Sequence, residues 1–519
     1  MARAHEAPRE AGASRWSWDW GLPSVAAASA CALVFAVTVR HGLSLSPDSA
    51  VYLSSADHLL RGDGLTSYSG HEVVVFPPGF AAVAAAIGRA FSVDVATAAR
   101  ILNVLCIAAI VAAACVLLRR HVESRRLQLA AAAMFAAASP LVDVATHAWS
   151  EPLFIALALL GILAIEELVE RPMRPASLAA AVALVWSASL IRYIGVALAP
   201  SAVGSLLIAP RRTRSRGTRL AAASVTGALM AVAPTAWVVR NLATSGTAFG
   251  GREAPNVPMT EQLRRTGGEI GSWVAPRYLP AGLRLAGIGL AVAAAGGLAL
   301  AARRRWNADR ARRRSLVPLA LFSLSYLVLL EGSAATTQID PLGPRLLSPL
   351  FVPAVVLGFA MLDRASGTGL QGRRIARNAF TLGVVCWSAL TVVAGGKLAT
   401  ELASGDDYSS AAWRGSALAM HLRQSPSAGP LFSNRPDAVW ATTRLDARCL
   451  PPQLGKDLCI GTSGDPDDLR ALESSRAGAE FAWFAAQGGP AAPVQRGRIR
   501  FRLVAREADG ALYALDFVP

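Results

Sequence analysis

The sequence predicts an α-helical polytopic membrane protein with about eleven transmembrane helices, followed by a small C-terminal α/β domain. Three observations predict it. The 519 residues are 53% hydrophobic and only 17% charged, with mean hydropathy +0.40, too apolar for a soluble chain and too long for one core. Apolar runs near span length alternate between two kinds of interruption, one basic and one mixed. The last stretch of chain is polar and rich in turn residues.

The first apolar run, 22–39, follows a polar N-terminal tail, 1–21. It has the length of a signal peptide, but it reads as an uncleaved first span because a functional-looking loop follows it. Further spans are expected at 95–118, 127–142, 151–168, 176–191, 193–209, 219–239, 282–301, 315–331, 347–363 and 378–395. The apolar segment 77–92 is read as a helix lying at, or dipping into, the outer face. A full crossing there would place the next basic cluster outside. The domains are then the tail 1–21, a membrane domain 22–395 with an outer loop 40–94, and a soluble domain 396–519. In that last domain Arg498 to Arg506 and Ala511 to Phe517 flank Glu507-Ala-Asp-Gly510, a hairpin pattern. Leu431 to Ser433 and Phe481 to Ala485 are weaker strand candidates.

Sidedness follows from arginine. The clusters Arg119 to Arg126, Arg211 to Arg219, Arg303 to Arg314 and Arg373 to Arg377 separate long apolar runs. Basic loops stay in the cytoplasm, so all four fall inside with the N-terminus, and the C-terminal domain falls outside. The net charge of +16 therefore points to anionic lipid headgroups and not to nucleic acid. Cys31, Cys106, Cys115 and Cys386 lie in apolar runs as inert small side chains. In an exported tail, Cys449 and Cys459 are free to form a disulfide.

The chemistry should lie outside, where the interruptions hold carboxylates, histidines and prolines. Pro47 and Asp48 precede a stretch with Tyr52, Leu53, Ala56, Leu59 and Leu60 on one helical face, a pattern for a helix on the membrane surface. Asp48 is either its N-cap, or close to it, or a carboxylate beside an apolar wall, tuned as a general base. Asp143, His147 and Glu151 recur every four residues and would share one face of a helix. That face could orient substrate or hold a divalent metal, although Glu151 also suits the positive end of the next helix. Arg192-Tyr193 sits at the outer turn of a hydrophobic hairpin, and Arg345 sits just before an inward span. Each arginine is either an interfacial anchor or a receptor for an anionic phosphate. Trp237, Arg240 and Asn241 mark another outer interface, and His71 and Glu72 read as surface residues.

Together these motifs resemble the C-type glycosyltransferase (GT-C) superfamily, in the branch of protein O-mannosyltransferases and the lipid A aminoarabinose transferase. The matching stretches are Pro47-Asp48-Ser49-Ala50-Val51-Tyr52, Phe76-Pro77-Pro78-Gly79, Ser150-Glu151-Pro152 and Arg345-Leu346-Leu347-Ser348-Pro349. Ser433 to Val439 is similar to the start of the outer domain in actinobacterial-type members. Two departures stand out. Asp48 is followed by Ser49 where relatives often carry Asp-Glu, and Val75-Phe76 stands where some carry Glu-Lys. The phosphate contact then falls to Arg192 or Arg345.

The resemblance implies an integral membrane transferase that takes a sugar from a polyprenyl-phosphate donor and inverts the anomeric carbon. Asp48 would be the base, Arg192 and Arg345 would hold the lipid phosphate, and Tyr52, Asp143, His147, Glu151 and Tyr193 would line the substrate site. No cofactor is required by this reading: Asp143, His147 and Glu151 either orient substrate or hold a divalent metal. The acceptor is a glycan, lipid or protein at the outer face of the plasma membrane. A transporter of lipid-linked glycan and a non-catalytic assembly protein share this architecture, but no internal repeat of the transporter kind is visible.

Overall fold

The computed structural model of the chain describes residues 21–171, 174–208, 215–287, 289, 316–369, 374–427, 429–450, 459, 472, 478–485 and 494–517. In chain order the helices are α1 (Gly21–Thr38), α2 (Pro47–Arg61), α3 (Gly79–Phe91), α4 (Val95–His121), α5 (Arg125–Ala137), α6 (Ser139–Thr146), α7 (Glu151–Glu170) and α8 (Pro175–Ile191). A 3-10 turn at Tyr193–Ala197 leads into α9 (Leu198–Ile208), α10 (Arg216–Ser245) and α11 (Met259–Val274). Then come α12 (Val317–Thr336), α13 (Pro344–Gly369) and α14 (Arg374–Leu402).

Among the described residues, 8 helices are long and apolar enough to cross a membrane, and α8 and the Tyr193–Ile208 segment are shorter apolar helices. The span expected at 282–301 and the cluster Arg303 to Arg314 lie almost wholly outside the described residues. The expected span 127–142 exists but is broken. α5 ends at Ala137, Ala138 is extended, and α6 restarts with Pro140 in its first turn. The proline ring lacks an N–H and would clash with the preceding turn, so the helix cannot run through. α14 crosses at that break, where a Cβ on Gly395 would lie 1.5 Å from the Ala137 carbonyl oxygen, so only glycine fits.

α2 and α3 are too short to span and pack on one another at one end of the bundle. Tyr52, Leu53, Ala56 and Phe80 are all buried there, and Leu59 and Leu60 are partly buried beside them. Pro77-Pro78 delivers the chain into α3 at Gly79, where a Cβ would lie 2.6 Å from the carbonyl oxygen of Leu190. That close approach sets α3 against the end of α8, beside Arg192.

α14 continues to Leu402, past the expected boundary at 396. Beyond it lie α15 (Ala411–Arg414), α16 (Ala417–Gln424) and α17 (Pro436–Thr443), with strands β1 (Leu431–Ser433), β2 (Glu480–Phe484), β3 (Gln495–Arg496), β4 (Ile499–Glu507) and β5 (Gly510–Phe517). The sheet order is β1-β2-β5-β4-β3, with β1 parallel to β2 and the other pairs antiparallel. The expected hairpin is β4–β5, turning between Glu507 and Gly510. Apolar side chains are buried in two clusters, one with Phe432, Phe481 and Phe501, the other with Val439, Phe484 and Leu512. Cys449 and Cys459 are joined in a disulfide.

This domain is docked, not tethered. Trp440 of α17 is fully buried in the same cluster as Leu53 and Phe80. The segment before α2 lies between two other extended pieces. Ser44 N–H donates to Thr146 O at 2.9 Å, and Ala148 N–H donates to Ser44 O at 3.0 Å. On the other side Tyr408 N–H donates to Leu45 O at 2.9 Å, and Ser409 Oγ donates to Leu43 O at 3.0 Å. The start of α2 is thereby fixed to both the bundle and the C-terminal domain.

Candidate active site

Ser46 caps α2, in a reciprocal capping box with Ser49. Asp48 is therefore not the N-cap. It lies inside the first turn, and its carboxylate is free for another partner. Arg345, in the first turn of α13, places Nη2 2.6 Å from Asp48 Oδ2. The same guanidinium puts Nε 2.7 Å from Glu151 Oε1 and Nη1 2.9 Å from Asp340 Oδ2. Its face lies 4.4 Å from the Trp149 ring centroid.

Glu151 opens α7 and is only 1% exposed. A buried carboxylate needs cationic partners, and it has two: Arg345 and Arg192, whose Nη1 is 2.7 Å from the same Oε1. Arg192 also donates to Ser150 Oγ at 3.0 Å, and Ser150 Oγ donates to Tyr52 OH at 3.1 Å. Tyr52 is wedged against Phe76 and Phe80, and burial pushes its phenol up. Asp48, Tyr52, Glu151, Arg192 and Arg345 thus form one network. With its side chain 28% exposed, Asp48 is its more accessible carboxylate, against Glu151.

The four-residue recurrence of Asp143, His147 and Glu151 does not lie on one helix. α6 ends at Thr146, His147 is extended, and α7 starts at Glu151. Pro152 explains the break, since its ring would clash with the carbonyl of Ala148 in a continuous helix. Asp143 and His147 stay together, with His147 Nδ1 2.7 Å from Asp143 O and 3.6 Å from Asp143 Oδ1. His147 stacks on Trp149 at 3.9 Å between centroids, and its Nε2 faces Asp406 Oδ2 at 3.9 Å. Burial alone would lower the imidazole, but the Asp406 contact and the nearby Asp143 and Asp407 raise it overall.

No family model matches the chain, and no curated protein does. Solved structures do. The apo crystal structure of ArnT from Cupriavidus metallidurans superposes with TM-score 0.62 at 15% identity, covering 95% of this chain and 97% of that one. The same protein bound to undecaprenyl phosphate gives 0.59 at 14%, over 95% and 98%. The archaeal oligosaccharyltransferase AglB from Archaeoglobus fulgidus, solved with an inhibitory peptide and a dolichol-phosphate, gives 0.53 at 13%, over 90% and 69%. This chain has the GT-C fold.

Within the GT-C frame Tyr193 stands apart from the Arg345 network. Its hydroxyl donates to Val74 O at 2.7 Å and accepts from Asn241 Nδ2 at 2.8 Å and Trp237 Nε1 at 3.3 Å. Arg240 pairs with Glu72. These residues pin the end of the first loop and do not meet Asp48.

A metal does not fit the residues expected to hold it. Among the described residues, no group of three or more His, Cys, Asp or Glu side chains is placed to hold a metal ion. Glu151 is engaged by two guanidinium groups, while Asp143 and His147 face each other. Sequence reasoning passed over Asp340 and Asp406. Asp340 lies five positions before Arg345 in the same short segment, so it was within reach of inspection. Asp406 carries no signal, because its proximity to His147 is created only by the docking of the C-terminal domain.

Proposed function

We propose that this chain is an integral membrane glycosyltransferase that moves a sugar from a polyprenyl-phosphate carrier to an acceptor at the outer face of the plasma membrane. The observation that carries the reading is the convergence of Asp48 and Glu151 on Arg345, with Arg192 on the same Glu151 oxygen, beside the non-spanning helix α2. A lipid-linked donor keeps its tail in the bilayer and its head at the interface, which is where such a site would meet it. ArnT solved with undecaprenyl phosphate and AglB solved with a dolichol-phosphate, on the same fold, support that class of carrier.

In this mechanism the acceptor hydroxyl oxygen attacks the anomeric carbon, and its proton passes to the Asp48 carboxylate. The bond from that carbon to the phosphate oxygen breaks, and the electron pair leaves with the lipid phosphate. Arg345 and Arg192 receive the charge of that leaving group. Attack from the face opposite the phosphate inverts the anomeric carbon. Glu151 keeps both guanidinium groups in place, and Tyr52 and Ser150 fix their approach.

The outer location is supported by the other end of α7. Glu166 meets Arg120 Nη1 at 2.7 Å and His121 Nε2 at 2.9 Å, inside the basic cluster assigned to the cytoplasm. From Glu151 to Glu166 the helix rises roughly 22 Å, most of a hydrocarbon core.

The test is mass spectrometry of envelope glycans and lipid-linked sugars in a deletion strain complemented with the wild-type chain or with Asp48→Asn. Loss of one glycosyl unit, with accumulation of its lipid-phosphate donor, is expected for both the deletion and Asp48→Asn. A wild-type profile from Asp48→Asn, or lipid-linked sugar stranded on one leaflet with no glycosidic bond missing, would overturn the proposal.

A further inference from the structure

Trp149 joins the two halves of the candidate site. It lies in the connection between α6 and α7, one residue before Ser150 and two before Glu151. The backbone beside it is fixed from two sides. Ala148 N–H donates to Ser44 O at 3.0 Å, and Asn103 Nδ2 donates to His147 O at 2.6 Å. The residue is 8% exposed, and the His147 ring stacks on its indole at 3.9 Å, tilted by 12°. A buried ring stacked in this way has little freedom to rotate.

The indole makes two further contacts, of different kinds. Its ring carries the Arg345 guanidinium, with Cζ 4.4 Å from the centroid. Its N–H donates to Ser46 Oγ at 2.7 Å. Ser46 is the N-cap of α2, and Asp48 follows two residues later in the first turn. A serine hydroxyl has two acceptor sites and one hydrogen. Trp149 takes one acceptor site and Ser49 N–H, at 3.4 Å, takes the other, which leaves the hydrogen for Ser49 Oγ at 3.2 Å. Every bonding position of the Ser46 hydroxyl is then filled, and the start of α2 is held in one orientation. The hold on the guanidinium is on its face. Its five N–H groups lie in its plane, where Asp48, Glu151 and Asp340 meet them. A phosphate would compete for those edges and not for the face.

We propose that Trp149 is a positioning residue that fixes the distance between Asp48 and Arg345, by holding the cap of the one's helix and the guanidinium of the other, a role that rests on the glycosyl-transfer function above. The ion pair alone would not do this. Under that mechanism it opens, as a phosphate takes the guanidinium edge and the carboxylate turns to the acceptor. Trp149 keeps the two groups in register through the exchange, because neither of its contacts uses an atom that the substrates need. Phenylalanine in its place would keep the ring face and lose the N–H, so the two holds are separable.

The experiment uses the full chain. Binding of bare decaprenyl phosphate and melting temperature are measured in lipid nanodiscs. Transfer is measured by mass spectrometry, as the rate at which the missing glycosyl unit returns to the envelope when each variant is induced to equal level in the deletion strain. The variants are Trp149→Phe, Trp149→Leu, Ser46→Ala, and Trp149→Phe combined with Ser46→Ala. Trp149→Phe should bind the lipid as wild type does and transfer about tenfold more slowly, the cost of a misplaced base. Trp149→Leu should in addition bind the lipid about tenfold more weakly, the worth of a desolvated cation–π contact. The double variant should be no slower than the slower of its two parents, since both remove the same hydrogen bond. Wild-type binding and transfer by both Trp149 variants would overturn the proposal. So would losses in Trp149→Phe and Ser46→Ala that multiply in the double variant, since the indole N–H would then not act through the cap. A lowered melting temperature, with binding and transfer reduced alike in every variant, would make Trp149 structural and overturn it too. A deletion that loses no glycosyl unit would sink the glycosyl-transfer reading itself, and the positioning role with it.

Discussion

Arg345 Nη2 stands 2.6 Å from Asp48 Oδ2, so the carboxylate proposed as base is held by the guanidinium proposed to receive the phosphate. The two roles compete for the same N–H groups. Under the proposed mechanism, a donor phosphate that draws on Arg345 would release Asp48 toward the acceptor, so that donor binding would prepare the base. Trp149 against the guanidinium face and Glu151 at its Nε edge would keep Arg345 in place through that exchange.

Asp48→Asn separates the two roles. Transfer should fall by at least about a hundredfold, the lower bound for losing a positioned base. Binding of bare decaprenyl phosphate should not weaken, and should tighten by roughly fivefold or less, because a partly exposed ion pair no longer competes for Arg345. Isothermal titration beside a transfer assay checks both. Weakened lipid binding in Asp48→Asn would place the carboxylate in the lipid site and not in proton transfer.

Glu151→Gln should be far more damaging to the fold than Asp48→Asn. It leaves two guanidinium groups facing each other without the buried carboxylate between them, a loss of about 3–5 kcal/mol by analogy with broken buried ion pairs. The measurement is thermal unfolding in detergent. Arg192→Gln added to Glu151→Gln should recover part of the loss, since it removes the charge left unpaired. Additive losses would show that the two residues are not coupled.

The membrane class, the β4–β5 hairpin and most of the Arg345 network were legible in the sequence, each for a local reason. Apolar length, alternating strand pattern and charges at span ends need no knowledge of tertiary contacts. The recurrence Asp143, His147, Glu151 does not share one face because the chain leaves the helix between Thr146 and Glu151, a break that Pro152 just beyond it enforces. Asp48 suits an N-cap by residue type, but Ser46, two residues earlier, takes that place because Ser49 at the third helical position reciprocates its hydrogen bond. Asp406 was missed for another reason. Its partner His147 is distant in sequence, and only domain docking brings them together.

The Cys449–Cys459 disulfide closes a short loop, the two residues standing at a sequence separation of 10. Cys449→Ser with Cys459→Ser should destabilise the C-terminal domain by roughly 2–3 kcal/mol, the range for a small loop. Because Trp440 of that domain packs with Leu53 and Phe80, the loss should reach the α2 region. Limited proteolysis with and without reductant would report it, with faster cleavage after Arg61 in the reduced or doubly substituted chain. Unchanged cleavage there would mean that docking does not depend on the crosslink.

The His147–Asp406 contact links the bundle to the C-terminal domain, and its pH dependence has a definite sign. The groups facing His147 are Asp143, Asp406 and Asp407, and they outweigh burial to raise its pKa above 6.5. A raised histidine contributes stability that is complete below about pH 6.5 and is lost as pH rises through the folded value. Asp406 is the opposite case. Its contact with His147, opposed by burial, leaves its pKa below 3.8, so its contribution is present above about pH 4 and is lost only as pH falls further. The link should therefore hold between these limits and weaken on the alkaline side first. Wild type should lose melting temperature as pH rises from 6.5 to 9, and Asp406→Asn should flatten that decline by removing the main support of the imidazolium. His147→Gln should flatten it as well, since no titrating ring remains. An alkaline decline of the same slope in all three proteins would assign it to other groups and remove His147 from the link.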